Sequence, residues 1–101
     1  MSRRFVIGVQ GLDRDQARGL REFLSDQGGW WHWIDSFWLL RTVDDANIST
    51  AKIRDRIGML NPSARTLVLE VSKEIDWSGQ GRKNGKGQSM YDWLNDDWQR
   101  D

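Results

Sequence analysis

The sequence predicts a single α+β domain, and three observations predict it. Strand-like apolar runs occur at Phe5–Val9, Trp30–Thr42 and Thr66–Val71. Two stretches between them place apolar residues at helical spacing, each opened by a capping side chain. A length of 101 residues allows one domain with a modest core. Burial is limited at this size, so a second copy of the chain would add stability.

Each element can be justified in order. In Phe5-Val6-Ile7-Gly8-Val9, residues 5, 7 and 9 share one face and Val6 and Gly8 the other. Apolar residues on both faces predict an interior strand. Asp13 followed by Gln16 has the form of a capping box. The helix it opens carries Ala17, Leu20, Phe23 and Leu24 as its apolar stripe and stops at Gly28-Gly29. Trp30 to Thr42 reads as strand, turn, strand around Asp35-Ser36, with Trp30, His32 and Ile34 on one face and Trp31, Trp33 and Asp35 on the other. Ser49 caps a second helix, Ile48 before it has staple spacing to Ile53, and Asn61-Pro62 ends it. Thr66–Val71 is the last clear strand, and Ser72–Trp77 is a fifth short strand or a linker. Strand, helix, strand, strand, helix, strand is the order of a ferredoxin-like βαββαβ sandwich, an antiparallel sheet with two helices on one face. The expected organisation is this domain over residues 1–77, a flexible Gly-rich basic loop over 78–89, and a short amphipathic helix over 90–101 that docks on the domain or on a partner subunit.

Composition excludes several function classes. With no Cys there is no disulfide scaffold, Cys-based zinc site or Cys nucleophile. Fifteen basic and 15 acidic side chains cancel, which argues against bulk attraction to nucleic acid or membrane but allows a local basic patch. No apolar run approaches the roughly 20 residues of a membrane span, and Phe5–Val9 is too short for a signal-peptide core. The expectation is a soluble cytoplasmic protein without a membrane partner.

The segments Trp33–Arg41, Ile53-Arg54-Asp55-Arg56-Ile57 and Thr66–Val71 resemble the Cas2/VapD/SinR-like group of small ferredoxin-like proteins. The likeness lies in an "S-x-W-hydrophobic" strand at Ser36-Phe37-Trp38-Leu39, an "I-R-D" helix and a final apolar strand, and extends to the Trp-containing tail. The resemblance implies a homodimer and association with RNA or DNA, and some members of the group cut nucleic acid. It also implies a metal-binding Asp at the end of the first strand, where this chain has Gln10, a poor ligand for Mg²⁺. That departure points away from an enzyme. The nuclease alternative would use Asp13 or Asp15 with Mg²⁺ across a dimer axis; otherwise no cofactor, metal site or small-molecule ligand is expected.

The candidate contact residues follow from charge and aromaticity. Arg14, Arg18 and Arg21 line one outer helix face, and Arg82, Lys83 and Lys86 make the Gly-rich loop basic, so these six would hold phosphates. Trp31 or Trp33 would stack on bases. Against this stands the ordinary reading of solvated charges and of Trp as a core or interface residue. Trp38, Trp77, Trp93, Leu94 and Trp98 are accordingly assigned to an interface. His32, the lone histidine, reads as a partly exposed sheet residue rather than a ligand or base. Three functions are thus weighed: a non-enzymatic binding and assembly protein associated with nucleic acid, a metal-dependent ribonuclease, and a protein–protein module using the Trp-rich surface.

Overall fold

The computed structural model describes residues 2–44, 46–80 and 92–98. Six elements follow one another: β1 (Arg4–Gln10), α1 (Arg14–Gln27), β2 (Gly28–Ile34), β3 (Phe37–Thr42), α2 (Thr50–Leu60) and β4 (Arg65–Val71). A single wide helical turn, Leu94–Trp98, then forms the tail. The strands make one antiparallel sheet in the order β2-β3-β1-β4. β1 therefore lies inside the sheet, with Val6 opposite Leu39 on β3 and Leu69 on β4.

The helices begin and end where local chemistry dictates. Asp13 accepts the Gln16 backbone N–H at 2.8 Å, and the Gln16 side chain accepts the Asp13 N–H at 3.0 Å, closing the capping box. Ser49 does the same for α2, accepting the Lys52 N–H at 3.1 Å. At the far end of α1, Gly28 turns the chain directly into β2 with φ +157°. A Cβ there would come within 2.1 Å of the Arg41 carbonyl oxygen, so only glycine fits. The Asn61 amide donates to the Gly11 carbonyl at 2.8 Å, joining the end of α2 to the turn after β1.

The core has two parts because the sheet is apolar on both faces. Phe5, Ile7, Trp38 and Leu40 face the helices and pack with Leu20 and Leu24 of α1 and Ile53 and Ile57 of α2. On the other face Trp31 and Leu39 pack with Leu94 and Trp98 of the tail. Two expectations are corrected. Trp38 is an interior residue of this chain, 1% exposed, rather than an interface residue. The strict alternation along β2 breaks at an irregularity between Trp31 and Ile34, so Ile34 pairs with Phe37 and lines the tail side instead of sharing a face with Trp30 and His32. Of the two readings of residues 72–77, strand or linker, the structure has the linker, with a turn in it.

The N-terminal end of β1 is tied across the sheet. Arg3 forks onto Glu70, with Nε and Nη2 at 2.8 and 2.9 Å from the two carboxylate oxygens, and Nη1 donates to the Ile48 carbonyl. The hydrogen bonds from Arg3 hold the Glu70 carboxyl below its ordinary value of 4.5, outweighing partial desolvation. Because the folded value is depressed, this contribution to stability is present above pH about 4.5 and is lost as the pH falls through the folded value. The melting temperature is therefore expected to fall below that pH, and Glu70→Gln is expected to flatten the acid side of the profile. Gly28→Ala is expected to cost about 1–3 kcal/mol in denaturant unfolding, the range for a forced backbone conformation.

Candidate functional site

The tail-covered face is assembled from one row across the sheet. Register sets Trp31 on β2 beside Leu39 on β3, Leu39 beside Val6 on β1, and Val6 beside Leu69 on β4. The linker after β4 brings Ile75 and Trp77 over this row, and the tail brings Leu94 and Trp98. Together these three chain segments surround a cavity of about 420 Å³. Its walls are mostly apolar and include four aromatic residues, Trp31, Phe37, Trp77 and Trp98: Trp31 meets Phe37 edge-on at 6.2 Å and 86°, and Trp98 lies 5.8 Å from Trp93. Trp93 rests over Gly29, where a Cβ would stand 3.6 Å from the indole, an ordinary van der Waals contact. Ser36 and Ser78 supply hydroxyls, and no charged side chain lines the cavity among the described residues.

Arg4 holds the tail in place. It is 4% exposed on the same sheet face as Val6, and its Nε donates to the Trp98 carbonyl while Nη1 reaches the Ser2 carbonyl at 3.4 Å. A buried guanidinium needs such acceptors, and a carbonyl at the end of a helical turn needs a donor. Each satisfies the other. The Trp98 indole is 1% exposed, and among the described residues its Nε1 has no hydrogen-bond partner, as is also true of Trp38 Nε1.

The residues singled out from the sequence fall into distinct places. Trp77, Trp93, Leu94 and Trp98 come together at this one site, within the same chain. Trp31 is also there, but it is 3% exposed beneath the tail and presents no free ring face for a base, which corrects its reading as a stacking residue. Trp33 is 42% exposed. Arg14 and Arg21 are exposed on α1, and Arg18 is paired with Asp15 at 2.6 Å. Asp13 is engaged as the helix cap. Arg82, Lys83 and Lys86 lie outside the described residues. His32 stacks flat on Trp38 at 3.4 Å, and its ring is 3.0 Å from the Asp35 carbonyl, a structural role in the turn. Among the described residues, no three His, Asp or Glu side chains converge as a metal-ligand group, and no helix is long and apolar enough to cross a membrane.

Sequence reading missed Arg4, Ile34 and Ile75 as parts of the site. The signal for Arg4 was its parity with Val6 and Gly8, which puts it on an inward face once the strand is extended by one residue. No family model, curated protein or solved structure matches this chain.

Arg4→Met keeps the apolar stem but removes the donor, and is expected to speed amide exchange across 94–98 at least tenfold with little change in β1. Trp98→Ala is expected to lower the unfolding free energy by about 3 kcal/mol, the scale of a buried large-to-small change, and to raise binding of an apolar dye to the uncovered sheet.

Proposed function

We propose that this chain is a ferredoxin-like, non-enzymatic binding and assembly protein of the Cas2/VapD/SinR-like kind, working as a homodimer. The element order βαββαβ and a sheet order read as β4-β1-β3-β2 support the fold assignment. The observation that carries the dimer reading is the β4 edge. β4 pairs with β1 on one side only, and it leaves Leu67 66% and Leu69 49% exposed. A seven-residue edge strand with exposed leucines and no proline is the kind of edge that natural proteins cover. A second copy offering the same edge would cover it isologously.

A second reading, contact with RNA or DNA, is favoured by Arg14 and Arg21, both exposed on the outer side of α1. Their guanidinium groups suit phosphate oxygens, and zero net charge would confine the attraction to that patch.

Sedimentation velocity tests the first reading and a salt series the second. The wild-type chain is expected to sediment as a dimer, and the double variant Leu67→Lys/Leu69→Lys as a monomer with an unchanged circular-dichroism spectrum. A wild-type monomer at every concentration overturns the homodimer. On labelled RNA and DNA, salt-sensitive binding that weakens in Arg14→Ala/Arg21→Ala supports the nucleic-acid contact. Mg²⁺-dependent cleavage abolished by Asp13→Ala would replace the non-enzymatic reading with the nuclease.

A further inference from the structure

We propose that the cavity between the sheet and the tail is a binding site for an uncharged, flat, aromatic small molecule. The proposal goes beyond the assembly function; Leu67 and Leu69 are not among the lining residues of the cavity, although Leu69 pairs with Val6 in the same row. Four observations carry it. First, the volume of about 420 Å³ falls within the roughly 300–1,000 Å³ of small-molecule sites. Second, the partly exposed rings of Phe37 and Trp77 line the walls and favour a flat π-system through offset and edge contacts. Third, among the described residues, the only side-chain polar groups presented by non-aromatic lining residues are the Ser36 and Ser78 hydroxyls. Among those residues an ionised ligand would find no counter-charge and would lose its hydration uncompensated.

Fourth, the burial is graded. Trp31 and Leu39, 3% and 6% exposed, close the back of the cavity, whereas Ile34 and Ile75 at the rim are 48% and 36% exposed. A small molecule seated there would cover the apolar rim. The sheet supplies a rigid base, and the bond from Arg4 to the Trp98 carbonyl fixes the opposite wall, so the site is formed before a ligand arrives.

The test uses the full chain and N-phenyl-1-naphthylamine, an uncharged fluorophore whose emission rises in apolar surroundings. Saturable binding at one probe per chain is expected. Leu39→Trp fills the back of the cavity and is expected to weaken binding at least tenfold. Ile75→Trp narrows the mouth from the linker, so it gives the same readout should Leu39→Trp fail to fold. The sulfonated analogue 8-anilinonaphthalene-1-sulfonate is expected to bind at least tenfold more weakly. The Leu67→Lys/Leu69→Lys chain is expected to keep full affinity for the neutral probe, which separates this site from the dimer reading. Absence of saturable binding, equal binding in both filled variants, or tighter binding of the sulfonate overturns the proposal. So does loss of probe binding in the double lysine variant, or dimer dissociation in folded Leu39→Trp or Ile75→Trp, since either marks the cavity as a contact between proteins.

Discussion

β1 has a strand on each side and apolar side chains on each face, and the rest of the structure answers to that constraint. Phe5, Ile7 and Val9 are covered by α1 and α2, and Val6 faces the opposite way toward Trp31, Leu39 and the tail. A sheet with only one apolar face can leave the other in water. This one cannot, because burying each large apolar side chain is worth about 1.5–3 kcal/mol and the second face carries several of them. The tail is too short to hold a helical turn alone. It is ordered by the sheet, and it shields Trp31 and Leu39 on the sheet's second face, so each stabilises the other.

The local punctuation of the fold was legible in the sequence because it is written in short-range chemistry. Asp13 with Gln16, Ser49, Gly28 and Asn61-Pro62 mark helix ends through hydrogen bonds and torsions that involve residues only a few positions apart. Period-two patterning likewise located the four strands. The place of β1 between β3 and β4 depends on pairings between distant residues, which no local pattern contains. The irregularity between Trp31 and Ile34 was hidden for a different reason. It shifts side-chain parity by backbone geometry, and nothing in Trp-His-Trp-Ile announces where the shift occurs.

The candidate site was half legible. Four apolar tail and linker residues, Trp77, Trp93, Leu94 and Trp98, were recognisable as a contact group from their size and helical spacing. Trp31 and Trp38 show why residue type alone misleads. The same side chain serves as a platform when exposed and as filling when covered, and coverage is decided by strand parity and by what packs above. Arg4 was missed because an arginine beside a strand reads as surface. Its burial makes sense only when the Trp98 carbonyl is known to arrive beside it.

The bond between Arg4 and Trp98 joins positions 94 residues apart, which matters during biosynthesis. The ribosome makes residue 4 well before residue 98. The helix-side core is complete in sequence once β4 has emerged, but Trp31 and Leu39 keep an open face until the tail follows. The nascent chain thus passes through a stage in which Trp31 and Leu39 are turned to solvent, the condition under which chaperones bind and neighbouring chains associate. For this protein, the arrival of residues 94–98 decides whether that stage ends in a closed molecule.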